Sequence, residues 1–251
     1  RKSTPSCSAS ANAANEGYLS PEASPVRSSP STVGSSSVSA SAAEVLAQAA
    51  SAHAVHIAYR LAPEHPFPAQ RDDALSAYRA LLAQSGEPIL VAGESAGANL
   101  AIALALTLRD AGLPQPSGLY LLSPWLDMRT DSPSYTSHQD RDPILTREGN
   151  AAAAKAFLGE SADTDLTSPV RADVRGLPPM LIHVGTEEIL LDDALTFTAR
   201  AAHAGVPLTL RVWQNMPHVF PLLHHLLPTG LAAIAEAGRW MQERLKAGCP
   251  L

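Results

Sequence analysis

Basic residues are in the minority in this 251-residue chain: 18 Lys and Arg stand against 24 Asp and Glu, a formal net charge of −6. Neutralising phosphates needs a positive surplus, so no nucleic-acid partner is expected. Long apolar runs are missing as well. No stretch approaches about 18 apolar residues without polar interruption, which speaks against a membrane span. Cysteine is scarce, with only Cys7 and Cys249 near opposite ends. Two such distant thiols make neither a disulfide framework nor a zinc site, and the plain expectation is a reduced, cytoplasmic chain without a metal. A chain opening on Arg1 rather than Met is expected to be a fragment or a processed product, and its start has no compact apolar core of a signal peptide.

Large apolar residues are also absent from the head. Of residues 1–41, fourteen are Ser, four are Pro, and Leu19 is the only leucine. Such a segment buries too little apolar surface to offset its ordering entropy, so 1–40 is expected to be low-complexity and disordered. The chain as a whole is nonetheless 45% apolar, and its length suffices for one domain with a full core.

From about Ser41 the pattern is that of an α/β domain. The spacing of apolar residues predicts helices over 41–51, 70–84, 98–112, 192–205 and 231–248. Short apolar runs predict strands over 54–58, 88–93, 118–123, 180–185 and 208–213. Helix 98–112 is apolar nearly all round and is expected at the centre, closed by Gly112. Strand and helix alternate, and the strands are continuous apolar runs, which predicts a mostly parallel sheet with helices on both faces. Residues 124–179 break the alternation, with one helix near 146–157 amid Asp, Ser, Pro and Arg. A long insertion after a strand end usually covers a site, so this segment is expected to be a lid.

Gly93-Glu94-Ser95-Ala96-Gly97 sits between the strand 88–93 and the helix 98–112. A G-x-S-x-G in that strand–turn–helix setting presents a nucleophilic serine on a sharp turn. Both glycines are expected to relieve crowding there. The helix start supplies backbone N–H groups, Ala96 first among them, for a developing oxyanion. The competing explanation is a tight turn whose Ser95 merely caps the helix.

A serine nucleophile needs a base, and the base needs a carboxylate. Of nine histidines, His218 alone follows a strand into a loop at the sheet edge where the order Ser…Asp/Glu…His puts the base. The acid is expected in the loop after 180–185, with Glu187, Glu188, Asp192 and Asp193 as candidates. The two aspartates open a helix and are explained by its dipole alone.

Longer segments carry a resemblance. Residues 59–69 read YRLAPEHPFPA, 93–100 read GESAGANL, 123–125 read SPW, and Asp142-Pro143, GTEEILLDDA at 185–194 and MPHVF at 216–220 complete the set. From about Gly34 to Leu245 the chain resembles the hormone-sensitive-lipase-like esterases, the bacterial family IV branch of the α/β-hydrolases. The resemblance implies an α/β-hydrolase fold and places Glu188 at the catalytic acid position, 30 residues before His218. It implies Ser95, Glu188 and His218 as the triad. It also implies an oxyanion loop of the type His-Gly-Gly-Gly, yet no His-Gly-Gly occurs in this chain. An ungapped count from YRLAPEH sets Arg27-Ser28-Ser29-Pro30 against that loop. Proline has no N–H to give, so the loop is expected to be defective, with Ala96 and Ser29 as candidate donors, and the family's N-terminal strands are expected to be missing.

These residues imply a serine carboxylesterase that works through an acyl-enzyme, and the resemblance implies short-chain acyl esters as its substrates and no cofactor. The partner is then a small-molecule ester, and a homodimer is left open. The alternative is an impaired or non-catalytic hydrolase-fold protein that binds a small hydrophobic ligand.

Overall fold

The structure is a computed structural model that describes residues 35–247. The expected oxyanion residue Ser29, and with it positions 1–34, lies outside the described residues. The low-complexity head was expected to run to residue 40, but helix α1 spans Ser35–Ala50. Extending a helix already held by packing costs little per residue, so a Ser- and Ala-rich stretch can join it.

Among the described residues four strands form the sheet: β1 Val91–Glu94, β2 Leu119–Leu122, β3 Met180–Gly185 and β4 Leu208–Trp213. They lie in the order β1-β2-β3-β4, and every neighbouring pair is parallel. The parallel sheet expected from the alternation is present, and with it the α/β-hydrolase fold that the resemblance implies. The two inner strands β2 and β3 are buried along their whole length, as continuous apolar runs require. β4 has no fully buried residue, because a strand at the sheet margin is covered less completely.

The expected strand over 54–58 does not form. Residues 53–60 are irregular and mostly exposed. A strand exists only through its ladder, and among the described residues nothing pairs with this segment.

Helices cover both faces. On one, α3 (Ala96–Asp110) and α6 (Leu191–His203) bury Ile102, Ala105, Leu106, Ala194 and Phe197 against β2 and β3. Helix α2 (Ala69–Ser85) lies outside α3 through Ala74, Tyr78, Leu104 and Leu108. On the other face α1 and α7 (Pro228–Ala247) cover Tyr120, Leu122 and Leu181. Helices α3 and α6 end alike. Gly112 and Gly205 take positive φ, their N–H groups bond Arg109 and Ala202, and the next residues, Leu113 and Val206, bond Leu108 and Ala201. This is the two-bond glycine cap that satisfies the last free carbonyls of a helix.

Residues 124–179 hold more order than the single helix expected of them: α4 (Ser134–Ser137), α5 (Arg147–Leu158) and a 3₁₀ turn at Pro169–Arg171. Short polar stretches conceal such turns, since their hydrogen bonds come from side chains elsewhere. Thr146 caps α5 by accepting the Gly149 N–H. Phe157 and Leu158 pack with Trp125, Tyr135, Ile189 and Leu190, and Phe67 meets the Phe157 ring edge-on.

One contact between α1 and α7 yields a test. A Cβ on Gly238 would overlap the backbone of Ala49. In an unconstrained helix, Gly→Ala stabilises by up to about 1 kcal/mol. Here Gly238→Ala should instead destabilise by about 1–3 kcal/mol, the usual cost of overpacking. Urea unfolding of the variant beside the parent measures the sign.

Candidate active site

The parallel register decides where the site can be. Glu94 is paired with Leu122, Leu122 with His183, and Gly185 with Trp213. The segments that leave these strands at 95, 123, 186 and 214 therefore emerge along one carboxyl edge, where open α/β sheets place their ligands.

Ser95 stands at the head of α3 with φ +53° and ψ −118°, a backbone that L-residues rarely adopt. A Cβ on Gly93 would run into the Gly97 carbonyl, so the turn needs glycine there. Gly97 has open space around it and φ outside the positive region. The expectation that both glycines relieve crowding holds for Gly93 alone, because only its α-carbon faces the opposite limb of the turn. The Ser95 hydroxyl makes no helix-capping hydrogen bond. It lies 3.1 Å from His218 Nε2. Ala96 opens the helix and is exposed, and the first N–H groups of a helix have no intrahelical acceptor.

His218 sits in the loop after β4, 3% exposed. Its Nδ1 lies 2.9 Å from Glu188 Oε2, and the Glu188 side chain is fully buried. The other Glu188 oxygen accepts from Gly185 N–H at 2.5 Å and from the Ser123 hydroxyl at 2.7 Å. Ser123 in turn accepts the Val219 N–H at 3.0 Å. A Cβ on Gly185 would overlap the Met216 carbonyl, so glycine is what lets the end of β3 approach the histidine loop. A carboxylate on Nδ1 leaves Nε2 as the nitrogen that faces the hydroxyl, the tautomer that can take its proton.

The other acidic candidates are occupied elsewhere. Glu187 forms a two-bond pair with Arg141, at 3.0 and 2.7 Å, and that guanidinium holds its carboxyl below the ordinary value. Asp192 accepts the Ser134 N–H at 2.8 Å. Asp193 is fully buried and accepts the N–H groups of Leu126 and Asp127 and the Ser132 hydroxyl. The helix dipole is therefore only part of why two aspartates open α6: they also anchor residues 126–134. Of the remaining histidines, His183 is fully buried in β3 between Tyr120 and Trp213. Burial first, and the Arg211 charge second, push it down to about 3, so it stays neutral.

Sequence reasoning missed Ser123 as a partner of the acid. Its only signal was Ser-Pro directly after a strand; the contact joins positions 65 apart. It missed Asn99 too, whose amide donates to the carbonyls of Trp125 and Thr167 and ties α3 to the inserted segment. Asp142 was seen only as part of a marker. Its carboxylate accepts the N–H groups of Ile144, Leu145 and Ile189, the last directly beside Glu188. Among the described residues no group of three His, Cys, Asp or Glu side chains is placed to hold a metal, and no helix is long and apolar enough to cross a membrane.

A family model described as alpha/beta hydrolase fold matches residues 31–222. The chain belongs to that family, and within it to the hormone-sensitive-lipase-like esterases. It is 42% identical over 200 residues to an acetyl-hydrolase of Streptomyces hygroscopicus, covering 78% of this chain and 67% of that protein. It is 38% identical over 186 residues to an esterase of Acinetobacter venetianus, covering 72% of this chain and 61% of that one. Among solved structures, an esterase from the bacterial hormone-sensitive lipase family matches at a TM-score of 0.79 and 42% identity, over 80% of this chain and 69% of its own. The esterase EstE5, soaked with p-nitrophenyl butyrate, matches at 0.79 and 40% identity, over 82% and 70%. The matched region thus spans about two-thirds of the length of these relatives.

Asp193 gives the site a pH signature. Burial pushes its carboxyl up to about 7 against an ordinary 3.8, outweighing the Leu126 N–H and the other donors that oppose it. Between those two values the folded protein keeps a proton that the unfolded chain releases. The parent's stability should therefore fall as pH rises from about 4 to about 7, then level off. Asp193→Asn retains the shape and removes this dependence. Its stability relative to the parent should rise across that window by at most about 4 kcal/mol, at 1.36 kcal/mol per pH unit. Urea unfolding at several pH values reads the difference, and parallel curves would refute the assignment.

Proposed function

We propose that this protein is a serine carboxylesterase that hydrolyses short-chain acyl esters through an acyl-enzyme. The observation that carries the reading is the use of the Ser95 hydroxyl. It stands on a positive-φ turn without capping the helix, and 3.1 Å from an imidazole whose other nitrogen meets a buried carboxylate.

In this reading Ser95 Oγ attacks the acyl carbon while His218 Nε2 takes its proton. Glu188 holds the imidazole in that tautomer and stabilises the imidazolium as it forms. The Ala96 N–H donates to the oxyanion of the tetrahedral intermediate. His218 then protonates the departing alkoxide, leaving an ester on Ser95. Water, deprotonated by the same nitrogen, attacks that ester and frees the acid. Ser29, the other candidate donor, lies outside the described residues, so Ala96 is the one donor this reading uses. Residues 124–179 serve as the cover of the site, and their packing on Ile189 and Leu190 beside the acid supports that role. An acetyl-hydrolase and the p-nitrophenyl butyrate-soaked EstE5 among the similar proteins support a small acyl group.

A second reading has one observation in its favour. No His-Gly-Gly occurs in the sequence, and losing an oxyanion donor costs roughly 10²–10³ in kcat. A protein with so weak a chemical step would act chiefly as a binder of small hydrophobic ligands.

Hydrolysis of p-nitrophenyl acetate separates the two. The proposal expects turnover that disappears in Ser95→Ala. Glu188→Gln should lower kcat by roughly 10³ or more, as loss of the orienting carboxylate does in serine hydrolases. Asp192→Asn should change it by less than about tenfold, since its carboxylate serves a backbone N–H away from the imidazole. Turnover that survives Ser95→Ala, or equal losses in the two acid variants, would overturn the assignment.

A further inference from the structure

Glu188 has two oxygens, and only one of them faces His218. The other is held by a hydroxyl from a different strand. Ser123 follows β2 directly, is fully buried, and has φ +47°. Glycine would take that backbone at no steric cost, whereas a side chain there is strained. A serine retained in such a place points to a use for its hydroxyl.

That hydroxyl has one hydrogen to give. The carboxylate is acceptor-only, and the Val219 N–H is donor-only. The direction of both bonds is therefore fixed: Val219 N–H donates to Ser123 Oγ at 3.0 Å, and Ser123 O–H donates to Glu188 Oε1 at 2.7 Å. Val219 is the residue after His218, so the same oxygen touches the acid and the backbone of the base loop. Ser123 itself is held by its own N–H, which donates to the His183 carbonyl of β3 at 2.7 Å. Two donors in sequence polarise each other, and a charge-assisted bond ends the chain.

We propose that Ser123 is a positioning residue for the reaction: its hydroxyl fixes the rotation of the Glu188 carboxylate and the distance of His218 from it, so that the imidazole meets Ser95 in one orientation. Gly185 N–H holds the same oxygen, but it lies on the acid's own loop and cannot set that loop against the base loop. Other bonds join the two loops, Glu187 N–H to the Met216 carbonyl and Asn215 N–H to Thr186 Oγ1, but Ser123 is the side chain that bonds both the Glu188 carboxylate and the residue after His218. The inference rests on the esterase reading for its catalytic consequence and on the hydrogen bonds alone for its structural one.

The test uses the 251-residue chain and two variants. Ser123→Ala removes the hydroxyl. Ser123→Gly removes it and also relieves the positive φ, which keeps the question answerable if the alanine variant folds poorly. Two readouts are needed: kcat and KM for p-nitrophenyl acetate, and the far-downfield proton resonance of His218 Nδ1–H in ¹⁵N-histidine-labelled protein, assigned by its loss in His218→Gln. A hydrogen bond to a buried charge is worth enough to expect kcat about tenfold or more below the parent, with KM within about twofold. The Nδ1–H resonance should move or broaden through exchange, because the carboxylate that accepts it has lost its other anchor. A resonance unchanged in position and width in a folded variant overturns the proposal, whatever happens to kcat. So does an unchanged kcat in an active parent. If the parent neither turns over ester nor depends on Ser95, the esterase reading fails, and the resonance still decides whether Ser123 fixes the Glu188–His218 pair.

Discussion

A carboxyl group with no access to water must find its hydrogen bonds inside the protein. Glu188 is in that position. Its three partners come from three places in the chain: Gly185 at the end of β3, Ser123 at the end of β2 and His218 after β4. Meeting them all requires the strand ends to lie level with one another. The parallel register provides this, since Leu122 stands opposite His183 and Gly185 opposite Trp213. The fully buried strands on which this depends are stabilised by apolar helices on both faces.

The inserted segment belongs to the same constraint. Arg141 and Asp142 grip the residues on either side of Glu188, the first through the Glu187 carboxylate and the second through the Ile189 N–H. Ser134 accepts the Asp192 N–H and donates to the Ile189 carbonyl. Asp193 reaches back to Leu126 and Asp127. The turn from 187 to 193 is therefore fixed from two directions: by the strand it leaves, and by a segment that follows a different strand some sixty residues earlier. Rotating Glu188 would require breaking several of these bonds together, and buried networks of this kind lose more than the sum of their pairs when one member is removed.

Periodicity was enough to read the body of the fold. The strands 180–185 and 208–213 have those bounds in the structure, and five helices lie within three residues of their expected positions, while α1 begins six residues early. Those elements bury themselves by local pattern. The strand over 54–58 failed because its apolar residues promised a ladder that depends on a neighbour. The nucleophile turn was legible because its geometry is local, from Gly93 to Gly97. The proximity of Glu188 and His218 was approached only through chain order and family resemblance, since nothing local distinguishes Glu187 from Glu188. Ser123 and Asp142 carry no local mark of their partners beyond a following proline, and Asn99 carries none. Their roles arise from contacts between positions 96, 68 and 47 apart, which no short-range pattern encodes.

The central claim is that Ser95 carries the acyl group between two half-reactions. The most direct test is to mix the protein briefly with p-nitrophenyl acetate, quench in acid, and map acetylated peptides by mass spectrometry. The account predicts an acetyl group on Ser95, accumulating as p-nitrophenol is released and more persistent in a variant whose deacylation is slowed. Turnover with no acyl group on Ser95, or acetylation at another residue that tracks turnover, would contradict it.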